Sequence, residues 1–225
     1  MSDGFPIPLV EQHGLIAIIR LDDLSDCVQL SRTLLDAGIC VQEITLTCPN
    51  ALDTLRMLRS EIEAFSTEKA SLGVGSVRTI SDVDSACKAG AEFLVSPCSN
   101  PAVIHASVDL RTPIIPGGFT PTELTAAAAH GASYVKVFPA RTLPPSYFKD
   151  VLAPLPDLKL IPTGGIDCEN MAAYFAAGVT AVGVGGSLVS RDLIAKRDWN
   201  AIGEIGRKLS STAADCLRRR NRGTT

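Results

Sequence analysis

Short apolar runs rich in Val, Ile and Leu alternate along the chain with longer amphipathic stretches, the rhythm of repeated βα units around a parallel sheet. Eight runs read as strands: 15–20, 41–47, 71–75, 92–96, 112–116, 133–138, 159–163 and 181–185. Four intervening stretches end in Ala37-Gly38, Ala89-Gly90, His130-Gly131 and Ala177-Gly178, where a glycine in the left-handed conformation stops a helix. Ser25, Asn50, Ser81, Thr122 and Asp167 read as helix N-caps. Because no linker rich in Pro, Gly or Ser divides the chain, the pattern predicts one domain over residues 1–225. That domain is expected to be a single α/β (β/α)8 TIM barrel over about 15–190, followed by a C-terminal helix and basic tail over about 198–225. An open doubly wound sheet gives the same local rhythm with fewer strands.

Composition narrows the classes of partner. Hydrophobic residues make up 46% of the 225 residues and charged residues 20%, which suits a large buried core. A formal net charge of -3 lacks the electrostatic footprint of a nucleic-acid binder, so no nucleic-acid partner is expected. The exception is Arg218-Arg219-Arg220-Asn221-Arg222, which reads as a solvated, frayed terminus. No apolar run reaches membrane-spanning length and no signal-peptide pattern opens the chain, so a cytoplasmic protein with no membrane partner is expected. The seven cysteines are odd in number and show no C-x-x-C spacing, which fits a reducing compartment rather than a disulfide framework. His13, His105 and His130 lack ligand-like spacing, and no G-x-G-x-x-G follows the first strand. Neither a metal nor a dinucleotide cofactor is therefore implied.

In a barrel, chemistry gathers at the C-terminal strand ends. Lys136 stands inside the apolar run Tyr134-Val135-Lys136-Val137-Phe138 and shares a face with Phe138. If the valines pack outward, the amine points inward, and burial lowers its pKa from ~10.4 toward ~7 to 8, where it is a usable nucleophile. Glu43, Thr45 and Thr47 share one face of the second run, and opposite staves place Glu43 in reach of Lys136. Taken singly, the lysine also fits a side chain snorkelling to solvent and the glutamate a salt bridge; together they supply a nucleophile and an acid/base. Arg20 ends the first run, where its planar fork can grip a carboxylate or phosphate, or form an exposed ion pair. Thr163-Gly164-Gly165 follows the seventh run and Gly185-Gly186-Ser187 the eighth, the two places where barrels commonly hold a phosphate on backbone N–H groups. These residues fit a lysine-dependent lyase. They also leave open an acid/base isomerase or synthase, and a non-catalytic sugar-phosphate sensor.

Seven segments in order carry a resemblance to a known family over about residues 15–189: Glu43-Ile44-Thr45-Leu46-Thr47, Gly73-Val74-Gly75-Ser76, Val95-Ser96-Pro97, Pro116-Gly117 with Thr120-Pro121-Thr122-Glu123, Lys136-Val137-Phe138-Pro139-Ala140, Pro162-Thr163-Gly164-Gly165-Ile166, and Gly185-Gly186-Ser187. The chain resembles the 2-keto-3-deoxy-6-phosphogluconate and 4-hydroxy-2-oxoglutarate aldolases. The resemblance implies cleavage of a keto acid to pyruvate and a phosphate-bearing aldehyde through an imine on Lys136, with Glu43 as acid/base, no metal or cofactor, and a homotrimer. It implies substrate contacts at Arg20, Thr47, Ser76, Pro97, Phe138 and Thr163, and phosphate contacts at Gly164, Gly165, Gly186 and Ser187. Two departures stand out: Ser76 replaces a threonine, and Thr47 sits where one branch carries a carboxylate-binding arginine, a task that then falls to Arg20. Threonine before the glycine pair resembles the gluconate-type enzymes rather than the galactonate-type.

Overall fold

The computed structural model describes residues 5–223. Helix α1 (Pro8–His13) leads into β1 (Leu15–Ile19), α2 (Cys27–Asp36), β2 (Val41–Thr45), α3 (Ala51–Glu61), β3 (Ser71–Gly75), α4 (Ile80–Ala89), β4 (Leu94–Val95) and α5 (Pro101–Asp109). There follow β5 (Ile114–Ile115), β6 (Gly117–Gly118), α6 (Pro121–Ala129), β7 (Val135–Val137), α7 (Pro145–Leu152), β8 (Leu160–Pro162), α8 (Met171–Ala176), β9 (Val182–Val184), α9 (Arg191–Ala195) and α10 (Trp199–Asn221). The strands pair in parallel in two arcs, β5-β4-β3-β2-β1-β9 and β6-β7-β8. This is the expected parallel α/β architecture, with one correction: the fifth run keeps only β5 as strand, and the two residues just past its Pro116 form a further short strand, β6, in the other arc. Proline has no N–H to give to a ladder, while its carbonyl still accepts from the Lys136 amide at 2.9 Å. On the other side a parallel bridge joins Thr163 to Gly183, and Thr180 N donates to Leu160 O at 3.0 Å.

Strand alternation sorts the side chains. Leu15, Ala17, Ile19, Ile44, Leu72, Val74, Val135, Val137 and Val182 join the helices in the outer core. Ile16, Val41, Phe93, Val95, Ile115, Tyr134, Ile161 and Ala181, drawn from both arcs, form an inner cluster with Ile7 and Val10 at and before α1. Each large aliphatic side chain so buried contributes about 1.5–3 kcal/mol. Helix α1 therefore closes the N-terminal ends of the strands, and the C-terminal ends stay open for polar side chains.

The glycine stops are where the pattern places them, since Gly38, Gly90, Gly131 and Gly178 all have φ between 82° and 105°. The caps differ in part. Asn50 precedes α3 without a side-chain cap bond, and Asp26 rather than Ser25 precedes α2. Thr79 and Thr120, not Ser81 and Thr122, cap α4 and α6, each in a reciprocal capping box with Asp82 or Glu123 three residues on. Asp167 lies three residues before the Asn170 cap of α8 and accepts from the amides of Glu169 and Asn170. The arginine run is not a frayed end: Arg218, Arg219 and Arg220 form the last turn of α10, where cations suit the helix dipole, and Arg220 donates to Val179 O at 3.3 Å. Residues 1–4 and 224–225 of the expected domain lie outside the described residues. No helix of the described residues is long and apolar enough to cross a membrane.

Candidate active site

On β7 the two valines pack outward, so Lys136 turns inward and is only 5% exposed. On β2 Gln42 and Ile44 take the outer side while Glu43, 2% exposed, turns in. The two side chains line one cavity of about 10 Å³ with Ile16, Ile18, Val95 and Thr163. Burial pushes the Lys136 amine below the usual lysine range, the Arg20 charge acts in the same direction, and Glu43 opposes both. Burial also pushes the Glu43 carboxyl up, against the pull of Lys136 and Arg20. Both shifts favour a neutral amine and a neutral acid over a separated ion pair. Oε1 of Glu43 is buried without a hydrogen-bond partner. It rests against Gly75, where any Cβ would overlap it, so the bare backbone of β3 is what admits the carboxyl. Phe138, two residues past Lys136 on the same side, sets its ring centroid 4.9 Å from Nζ.

Above this pair opens a cleft of about 720 Å³, lined by Arg20, Lys136, Phe138, Thr163, Gly164, Gly165, Gly186 and Ser187 among others. Thr163 is 5% exposed; its carbonyl accepts from Ala140 N at 2.8 Å and its amide donates to Val137 O at 3.0 Å, which locks the loop after β8 to that after β7. Gly164 and Gly165 have φ of 93° and 86°, a conformation side-chain-bearing residues rarely adopt. Ser187 Oγ donates to Ile166 O at 2.6 Å and ties the two glycine loops together. Among the described residues the amides of Gly165, Ile166, Gly186 and Ser187 have no protein acceptor, so they are free to bind an anion.

Three expected contacts fall elsewhere. Thr47, Ser76 and Pro97 line neither the cleft nor the cavity beneath it. β2 ends at Thr45, and Thr47 sits exposed in the following turn, its hydroxyl 2.9 Å from that of Thr45 instead of continuing the inward face of Glu43. Ser76 follows β3 at φ 62°, and Pro97 is half-buried with its carbonyl against Gly117. These residues stand at the ends of β2, β3 and β4, while the cleft opens beside β1, β7, β8 and β9. Sequence reasoning missed Arg141, Asp167, Arg191 and Asp192, which do line the cleft. The available signal was position: Arg141 comes three residues after Phe138, and Arg191 four after Ser187.

Carbonyl addition needs an uncharged amine and a proton donor in one dry place, and that pairing puts the protein among the aldolases, lyases that cut carbon–carbon bonds. The chain belongs to the KDPG and KHG aldolase family, whose profile matches residues 8–205. It is 34% identical over 205 residues to a 2-dehydro-3-deoxy-phosphogluconate aldolase of Haemophilus influenzae, covering 90% of this chain and 94% of that one. It is 36% identical over 187 residues to a probable 2-dehydro-3-deoxy-6-phosphogalactonate aldolase of Rhizobium meliloti, covering 83% and 86%. Among solved structures it is similar to the KDPG aldolase of Legionella pneumophila with pyruvate captured as a covalent carbinolamine, with a TM-score of 0.79, 29% identity, and coverage of 88% of this chain and 94% of that one.

Proposed function

We propose that this chain cleaves 2-keto-3-deoxy-6-phosphogluconate to pyruvate and glyceraldehyde 3-phosphate through an imine on Lys136. The observation that carries the reading is the Lys136 amine, 5% exposed and sharing a small cavity with Glu43 at the base of the cleft. The neutral amine adds to the C2 ketone, and loss of water, assisted by a proton from Glu43, gives a cationic imine. The Glu43 carboxylate then takes the C4 hydroxyl proton, the C3–C4 bond breaks, and its electron pair passes into the imine to leave an enamine. Glu43 returns the proton to C3, and hydrolysis frees pyruvate and the lysine. The imine serves as the electron sink, so the scheme calls for no metal and no organic cofactor.

Arg20 binds the substrate carboxylate near the imine, Phe138 walls the carbon chain, and Thr163 meets its hydroxyls. The unpaired amides around Gly164, Gly165, Gly186 and Ser187 take the phosphate. Thr163 before the glycine pair supports the gluconate epimer over the galactonate epimer. The same amine and acid also serve 4-hydroxy-2-oxoglutarate, which yields pyruvate and glyoxylate and leaves the phosphate loops empty.

The strand arcs form one closed (β/α)8 barrel in this reading, supported by the Thr163 to Gly183 bridge on one side and the continuous 114–118 segment on the other. One domain then runs from the plug helix α1 to α10. Exposed Ile80, Leu110 and Phe119 offer apolar surface to a homotrimer interface, and seven unpaired cysteines suit a reducing cytoplasm. Light scattering giving a monomer mass would remove the trimer. For the chemistry, pyruvate plus borohydride should add a reduced pyruvyl group to Lys136 and to no residue in Lys136→Met. Coupled pyruvate detection should show turnover of the phosphorylated keto acid. Unlabelled wild-type protein under these conditions would sink the imine mechanism.

A further inference from the structure

The cleft is cationic although the chain carries a formal net charge of -3: Arg20, Arg141 and Arg191 line it against Asp167 and Asp192. The three guanidinium groups are not equivalent. The charge of Arg20 acts on both Lys136 and Glu43, which places it at the nucleophile end, whereas Arg141 influences neither. Arg191 donates to Asp22 at 3.3 Å, so its charge is already partnered. Arg141 forms no ion pair among the described residues. It lies on the turn Ala140–Thr142, directly after the β7 segment that carries Lys136 and Phe138. A Cβ on Gly165 would lie 2.6 Å from the Cβ of Arg141, so the arginine stem packs directly on the glycine loop whose amides are unpaired. An exposed guanidinium with no ion pair, rooted against an anion-type loop of the same cleft, is placed to read a terminal dianion.

We propose that Arg141 is a specificity-determining residue that grips the terminal phosphate and so separates phosphorylated keto acids from short dicarboxylic ones. The proposal rests on the aldolase reading. In 4-hydroxy-2-oxoglutarate the second anion sits on C5, next to the reacting C4, whereas in the phosphorylated substrate the phosphorus stands further out, past C5, C6 and an ester oxygen. Arg141 therefore meets the second anion only in the longer molecule, and loss of its guanidinium should act on that molecule alone.

The test compares wild type, Arg141→Gln and Arg141→Lys. For the phosphorylated keto acid, Arg141→Gln should raise KM by about ten- to a hundredfold, the span of one charge-assisted hydrogen bond, with kcat changed less than about threefold. Arg141→Lys should recover part of that loss. KM for 4-hydroxy-2-oxoglutarate and the rate of borohydride trapping of pyruvate should stay within about twofold of wild type in both variants. An unchanged KM for the phosphorylated substrate, or equal losses on both substrates, overturns the proposal. Calorimetric binding of inorganic phosphate provides an arm that needs no turnover: affinity should fall about tenfold or more in Arg141→Gln, and equal affinity overturns the proposal even if wild type is never labelled by pyruvate. Absence of labelling with phosphate binding lost in the variant would instead unseat the aldolase reading and leave Arg141 as the phosphate ligand.

Discussion

Tyr134, just before β7, and Lys136, within it, stand two residues apart, both turned to the interior, and they meet opposite treatment. The Tyr134 hydroxyl accepts from Ile7 N at 3.2 Å and donates to Glu11 at 2.7 Å, and Glu11 in turn accepts from Lys159 at 2.8 Å. Around it Ile7, Val10, Val41 and Phe93 fill the space, and the buried hydroxyl is satisfied on both sides. At the other end Lys136 and Glu43 are just as buried, yet an oxygen of Glu43 has no partner, and burial drives both groups toward their neutral forms. One end of the interior uses polar atoms to hold the fold. The other leaves them unsatisfied and so keeps them available for a ligand's carbonyl and hydroxyl groups.

Variants at the two ends should separate function from stability. Lys136→Met carries the largest effect: turnover falls by on the order of 10⁴-fold or more, while the urea midpoint stays level or rises, because an apolar side chain replaces a desolvated polar amine. A clear loss of stability would show that the lysine holds the fold as Tyr134 does. Glu43→Gln should lower kcat by about 10²–10⁴-fold. Its stability signature depends on pH. The folded pKa of Glu43 is raised above the ordinary carboxyl value of 4.5, so its stabilising neutral form is fully present below that value and is lost as pH rises through the folded pKa. Glutamine does not titrate, so Glu43→Gln should gain on wild type from pH 4.5 upward in paired urea titrations. A constant difference would mean that the carboxyl is not destabilised by burial. The smallest effect on activity falls at the closed end: Tyr134→Phe should cost about 1–3 kcal/mol of stability and leave pyruvate trapping at the wild-type rate. A drop in trapping would show that the two ends are coupled.

What the sequence revealed followed from local periodicity. A period of two put the valines of β7 outward and Lys136 inward, and the same count turned Glu43 in. The helix-stopping glycines were legible for a similar reason, as a left-handed residue is a local demand. Pro116 shows where local reasoning ran out. Its run reads as a strand that stops at the proline, whereas pairing resumes at Gly117–Gly118 in the other arc once the residue with no N–H is passed. Thr47 shows the same limit, because its hydroxyl engages Thr45 within a turn that alternation does not foresee. The side of the rim that covers the nucleophile depends on how the long loops after β7, β8 and β9 fold over one another. That arrangement leaves Thr47, Ser76 and Pro97 off the lining of the cleft and brings in Arg141 and Arg191.

The seam between the arcs runs through the cleft itself. Thr163 bridges to Gly183, and a methyl-sized addition at Gly183 would meet the Thr163 hydroxyl at 2.5 Å, so the Thr163 side chain packs directly on the bare backbone of β9 there. A molecule that engages the loops on either side fastens this join like a clasp. Occupancy should therefore be felt as slower amide exchange along 160–163 and 182–186, and the chain should be easiest to pry apart at the place where it works.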